Sequence, residues 1–278
     1  MERVFATDFA HMASHFMGKA SQVPLPAPIL KQVIRAYAIA TGVSMGEIDQ
    51  PQGGFKNFSE FFGRRLLPGA RDICKEQDAL VSPCDGKIIA VGDVDSKDSP
   101  SFSIKGSRYN LDALLGAEKS GASFRDGGYL IVYLHPRDYH RVHVPVGAAL
   151  TAVRHVPGAR YPVNSMFEDR VEEIYGKNER VVFHFKLPSG LEFALIMVSA
   201  FGVGNIETPY ESKDMMQSTG CREHRFDEPI PTVKGDDLGT FLLGSTVVLI
   251  WAQNAFKIDD HLVVGPITMG SRLGRTIP

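Results

Sequence analysis

The sequence is poor in cysteine: Cys74, Cys84 and Cys221 are the only three in 278 residues, and none sits in a CxxC pair. A disulfide framework is thereby excluded, and a reducing compartment is the simpler setting. No run of about 18 apolar residues occurs, so no single helix is expected to span a bilayer. There is no excess of positive charge either. Thirty Lys and Arg stand against 32 Asp and Glu, for a formal charge of -2, which argues against a dedicated nucleic-acid binder. The first residues, Met1 to Phe9, lack the charged-then-apolar order of a secretory signal and the Arg/Ser richness of a transit peptide. The protein is expected on the cytosolic side, at most resting on a membrane. Ordinary counts of glycine (27) and proline (17) exclude a collagen-like chain, and neither repeats nor low-complexity segments occur.

What is present is a hydrophobic fraction of 44%. A chain of this length can bury roughly 75% of the surface it exposes when unfolded, so a full core is available. Its organisation changes along the sequence. Residues 1–66 read as helical. Phe5, Phe9, Met12 and Phe16 fall at i, i+4, i+7 and i+11, which is one apolar stripe on a helix. Pro24, Pro26 and Pro28 interrupt; Leu30, Val33, Ile34 and Tyr37 then form a second stripe, with Gly42 as its stop. A third short helix is expected from Asn57 or Ser59, carrying Phe58, Phe61 and Phe62.

After Pro68-Gly69 the pattern becomes short β-type runs broken by Gly, Pro and Asp. Examples are Lys87–Val91, Tyr129–Leu134, Val181–Phe185, Phe193–Val198 and Thr246–Trp251, with one short helix near Leu111–Leu115. No alternation of strand and helix is visible, so a doubly wound parallel sheet is not expected. The expected fold class is α+β: a helical N-terminal arm, residues 1–66, on a mostly antiparallel β catalytic core, residues 67–278.

Three constellations carry chemistry. The first is Ser82-Pro83-Cys84-Asp85-Gly86, where Asp-Gly after Pro is a turn signature. The second runs from His135-Pro136 through Asp138 to His140 and His143, three of nine histidines within nine residues. Pro136 can open a helical turn, in which His140 and His143 would share a face; in a strand they would point to opposite sides. Without a nearby Cys or Glu ligand, a metal site is not expected there, and histidine acid/base chemistry is the better fit. The third is Leu243-Gly244-Ser245-Thr246 inside an apolar, strand-like run. It is not G-x-S-x-G, so an α/β-hydrolase elbow is not supported.

Taken in order, these segments resemble phosphatidylserine decarboxylases. The resemblance runs from Phe58-Ser59-Glu60-Phe61-Phe62 with Arg64 through Ser82–Gly86, Lys105–Leu111 and the His140/His143 segment. It continues through Val156-Pro157-Gly158, Asn178-Glu179-Arg180-Val181 and Gly204–Thr208, and closes with Lys234-Gly235 and Leu243–Thr246. Two departures stand out. His135 occupies a position where a small residue is expected before Pro136, and Ser212–Pro231 matches poorly.

The resemblance implies a proenzyme that cuts itself between Gly244 and Ser245 into fragments 1–244 and 245–278. The Ser245 hydroxyl attacks the Gly244 carbonyl to give an ester. β-Elimination leaves a dehydroalanine, which hydrolyses to a pyruvoyl group, the covalent cofactor. A serine hydroxyl needs an oriented base to do this. By resemblance Asp85, His143 and Ser245 form that triad, and His140 assists decarboxylation or the return of a proton. The pyruvoyl ketone forms a Schiff base with the amine of phosphatidylserine and takes up the electrons released with CO2. Phosphatidylethanolamine is the implied product. A diacyl lipid substrate in turn implies a peripheral position on the cytoplasmic face of the cell membrane. Phe5, Phe9, Met12 and Phe16, with Phe61 and Phe62, are then candidates for membrane or substrate contact, and Arg3, Lys19, Arg64 and Arg65 for attraction to an anionic surface. The two fragments are expected to stay together as a heterodimer and to assemble further as a homo-oligomer.

Overall fold

The computed structural model describes residues 18, 20–104, 106–161, 173–200, 206–216, 218–242 and 245–278. The stripe Phe5/Phe9/Met12/Phe16 and the cleavage-site Gly244 lie outside the described residues.

The chain enters through helix α1 (Ala27–Thr41), with Pro26 and Pro28 at its start. Gly42 ends it in a left-handed conformation, φ 84°, donating its N–H to Ala38 O; a side chain would be strained there. The buried stripe is Leu30, Ile34 and Ala38, four residues apart, while Val33 faces outward. Strand β1 (Ile48–Asp49) follows. Helix α2 (Phe58–Phe62) is capped by Asn57, whose Oδ1 accepts the Glu60 N–H at 2.9 Å. Strand β2 (Arg65–Leu66) returns antiparallel to β1. Together these elements close a small core of Leu30, Ile34, Ala38, Val43, Ile48 and Phe61.

The remaining strands are β3 (Ala79–Val81), β4 (Gly86–Asp93), β5 (Ser101–Ile104), β6 (Ser107–Asn110), β7 (Gly128–Leu134), β8 (Arg141–His143), β9 (Ala148–Val156), β10 (Arg180–Lys186) and β11 (Glu192–Ser199). They continue with β12 (Ile206–Glu207), β13 (Arg222–Thr232), β14 (Asp237–Phe241), β15 (Ser245–Trp251), β16 (Phe256–Ile258), β17 (Gly265–Ile267) and β18 (Arg272–Thr276). Three short helices, α3 (Leu111–Leu115), α4 (Ile174–Lys177) and α5 (Lys213–Met216), interrupt them.

Eight strands form one sheet in the order β13-β9-β10-β11-β15-β7-β4-β17, and every neighbouring pair is antiparallel. The fold is therefore α+β. Its strands are apolar at successive positions because both faces of the sheet are covered. On β15, Val247, Leu249 and Trp251 point to one core, with Leu130, Val132 and Met197. Val248 and Ile250 point to the other, with Ile131 and Ile196. The first face is roofed by the small sheets β12-β14-β8 and β16-β18-β3, the second by α3, α4 and the β5–β6 hairpin. Strand β15 lies deep in the sheet between β11 and β7, so its first residue, Ser245, is framed by Ser199 on one side and Leu134 on the other.

Candidate active site

The link from β7 to β8 is a tight turn. The Asp138 N–H donates to His135 O at 2.8 Å, and the His135 N–H donates to an Asp138 carboxylate oxygen at 2.7 Å. Beyond it the chain leads into strand β8, along which side chains alternate. His140 and Val142 are fully buried; Arg141 and His143 lie on the other side of β8, and Tyr139 stacks on His143.

His140 meets Ser245 on the core side. Its Nδ1 lies 3.0 Å from Ser245 Oγ, and its Nε2 lies 3.1 Å from His135 O. A carbonyl only accepts, so the network puts the ring proton on Nε2 and leaves the Nδ1 lone pair facing the serine hydroxyl. His140 is 0% and Ser245 1% exposed. Burial pushes the His140 pKa down to about 3, and the positive charge of Arg64 adds to the shift. The ring is neutral at physiological pH. Phe62 packs on it, ring centroids 4.0 Å apart.

His143 and Asp85 are held by other partners. The His143 N–H donates to Pro83 O at 2.8 Å, which brings β8 alongside the Asp85 turn. Its ring Nδ1–H donates to Gly235 O at 2.9 Å, and Nε2 accepts the Tyr139 hydroxyl at 3.0 Å. Burial lowers the His143 pKa, while the Gly235 carbonyl and the charges of Asp237 and Asp85 act in the opposite direction. Burial also pushes Tyr139 up to about 12, so its hydroxyl stays protonated. Asp85 is gripped by Arg71, whose Nε lies 2.9 and 3.0 Å from its two oxygens, and by the Met269 N–H at 2.8 Å. Gly86 must follow it without a side chain: φ is +151° and a Cβ would stand 2.4 Å from Tyr133 O.

The three residues expected to form one triad are thus not joined by hydrogen bonds in this conformation. The approach from the turn into β8 places His140, not His143, against Ser245, and Asp85 reaches His143 only through its field. Arg71 and Tyr139 partner the expected catalytic groups and were not singled out by sequence. Arg71 lies 14 residues before Asp85, a separation with no periodic signature.

The lipid contact expected of Phe61 and Phe62 is corrected by their burial, at 0% and 1% exposure. Phe61 belongs to the core of the helical segment and Phe62 backs His140. Arg64 is likewise buried and does not face a membrane surface, whereas Arg65 is exposed. The Asn178–Arg180 motif braces the strand next to Ser245. Asn178 Nδ2 donates to Ser199 O at 2.8 Å, and Ser199 Oγ donates to Glu179 O at 2.6 Å. Arg180 donates to the carbonyls of Leu114 and Ala113 at the end of α3. Beside Ser245, Thr246 Oγ1 is buried without a hydrogen-bond partner among the described residues.

A family profile described as phosphatidylserine decarboxylase matches residues 58–275. A phosphatidylserine decarboxylase proenzyme of Myxococcus xanthus is 33% identical over 262 residues, covering 94% of this chain and 92% of that protein. Proteins with the same name are similar in Brevibacillus brevis (34% identity; 88% of this chain, 86% of the relative) and Bordetella petrii (35% identity; 95% and 92%).

Proposed function

The chain belongs to the phosphatidylserine decarboxylase family and is a carboxy-lyase; from that premise we propose that it converts phosphatidylserine to phosphatidylethanolamine and CO2 after cutting itself between Gly244 and Ser245. The observation that carries this is the 3.0 Å contact between a neutral His140 Nδ1 and a Ser245 hydroxyl closed off from water.

Position 245 fits the group that the family name implies. It is the first residue of a strand held on both sides, buried beside a neutral imidazole and a Thr246 hydroxyl that has no hydrogen-bond partner among the described residues. Once formed there from Ser245, a pyruvoyl group supplies a ketone that condenses with the substrate amine and accepts the electron pair released as CO2 leaves.

We divide the two histidines between the two reactions. In the cut, Ser245 Oγ attacks the Gly244 carbonyl and loses its proton to a base. We give that duty to His143, as the family resemblance implies; burial and Arg141 lower its pKa, and the Gly235 carbonyl, Asp237 and Asp85 offset part of that shift. The Ser245 hydroxyl leaves His140 to reach His143. His140, kept neutral by burial, then stands beside position 245 in the cut enzyme and moves the proton at the substrate α-carbon.

After the cut, fragment 245–278 contributes β15 through β18. Its first strand is paired along its length with β11 and β7, so the two fragments are expected to stay associated.

Membrane placement follows from the substrate. Among the described residues no helix is long and apolar enough to cross a bilayer. Helix α1 instead presents Ile29, Val33 and Ile39 outward, at 54%, 40% and 75% exposure, on the same element as Lys31 and Arg35. That is the composition of a surface that rests on anionic lipid.

Intact mass under denaturing conditions tests the proposal. Two fragments, the smaller being residues 245–278 with a pyruvoyl N-terminus, are expected in the protein that releases CO2 from phosphatidylserine. A single uncut, unmodified and active chain overturns it.

A further inference from the structure

The turn that aims His140 is gripped from the helical segment. The Tyr37 hydroxyl donates to Pro136 O at 2.7 Å, and Arg64 Nη2 donates to both Arg137 O and Asp138 O at 2.9 Å. Arg141 Nε donates back to Gly63 O at 3.0 Å, and Phe62 covers the His140 ring. Arg64 is the centre of this grip. It is 4% exposed and carries no ion pair among the described residues; its guanidinium lies 5.3 Å from the Phe61 ring centre, and its Nε has no hydrogen-bond partner. Burying a guanidinium against carbonyls alone is costly, and a neutral residue would fill the space more cheaply. A charge buried in this way calls for a use.

We propose that Arg64 is a positioning residue of the decarboxylation reaction: by holding the carbonyls of Arg137 and Asp138 it fixes the turn that sets His140 Nδ1 on position 245. The assignment rests on the His140 role given above. The charge of Arg64 contributes separately. It disfavours a proton on His140, as does His135; Arg64 itself is faced by Tyr37, Asp85 and Asp138, which favour its charge, and by Arg71, which opposes it. Arg64 thus joins the lipid-side helices to the catalytic turn.

The test uses the full chain with Arg64→Met and Arg64→Lys, assayed for self-cleavage by mass and for CO2 release from phosphatidylserine in detergent micelles. For Arg64→Met the two fragments are expected as in wild type. The kcat is expected to fall by at least about tenfold with KM within about twofold, because a small misplacement of a catalytic group costs this much. The acidic limb of kcat is expected to move to higher pH. Arg64→Lys keeps the charge but cannot span two carbonyls, so its kcat falls while its acidic limb stays at the wild-type position. A cut Arg64→Met enzyme with wild-type kcat and pH profile overturns the assignment, as does an Arg64→Lys enzyme whose limb moves like that of Arg64→Met. If Arg64→Met does not fold, Arg64→Lys decides alone: an unchanged kcat overturns the assignment. The wild-type control separates the two levels. Active, cut wild type with an indifferent Arg64 removes only this role, whereas uncut wild type removes the proposed function as well.

Discussion

Ser245 Oγ points at His140 Nδ1 from 3.0 Å, while His143 is held away from it by Gly235 O and the Tyr139 hydroxyl. The two histidines lie three residues apart, on the approach to β8 and at its end, and meet different partners. That separation fits the proposal that one acts in the cut and the other in turnover.

Replacing Ser245 with Ala removes the hydroxyl proposed to start the cut. Ser245→Ala is expected to run as one chain of full mass and to release no CO2. The buried site tolerates the loss of one oxygen, so folding should survive. Splitting of Ser245→Ala at 244/245 would show that another group starts the cut.

His140→Ala and His143→Ala are expected to behave differently. His140→Ala should still yield fragments 1–244 and 245–278 but lose turnover by on the order of 10²-fold, the usual worth of a positioned acid/base group. His143→Ala should accumulate the uncut chain. Mass and CO2 release on the same samples decide it: a His140→Ala protein that stays uncut makes His140 the base for both reactions.

Much of this was legible in the sequence. The Gly42 stop, the short helix at Leu111–Leu115 and the five strand runs were visible because local period and turn chemistry decide them. The orientation of His140 and His143 was not. Pro136 allows a helical turn or a tight one, and the Asp138 side chain selects the tight one by capping the His135 N–H. Phe61 and Phe62 were misleading for a related reason. An aromatic pair on a short helix has one pattern whether it meets lipid or a core, and here the surface left for them is nil. Arg71 and Tyr139 needed the fold itself to reach Asp85 and His143.

Asp85→Asn is expected to lower stability as well as slow the cut. Asp85 is buried, and its carboxylate accepts from Arg71 Nε and Nη2 and from the Met269 N–H. Removing its charge leaves Arg71 with Glu47 alone, at 3.0 Å and more exposed. Breaking a fully buried pair costs about 3–5 kcal/mol, and less where, as here, Arg71 is partly solvated. Urea unfolding measures this; an unchanged midpoint would mean that Arg71 finds equal company elsewhere.

Membrane attachment is expected to weaken in a chain lacking residues 1–20 and in Ile39→Glu, which puts a carboxylate on the exposed face of α1. Co-sedimentation with anionic vesicles is the measurement. Binding that is unchanged in both proteins places the lipid contact on a different surface.

Acid is expected to destabilise the fold before carboxylates titrate. Burial holds His140 at about 3 and His184 at about 4, the latter helped by Arg154 and Arg225. In the unfolded chain both bind protons as pH falls below about 6.5. The unfolded state then holds more protons, so stability is full above that pH and declines as pH falls toward the folded values. At pH 5 each histidine costs on the order of 1–2 kcal/mol by this linkage. His184 isolates the effect, because it lies on β10 away from Ser245 and its Nε2 is buried without a partner among the described residues. His184→Leu removes both the titration and the unpaired nitrogen. Its gain over wild type in thermal midpoint should therefore be larger at pH 5 than at pH 7. Equal gains at the two pH values would mean that His184 does not titrate between the folded and unfolded states.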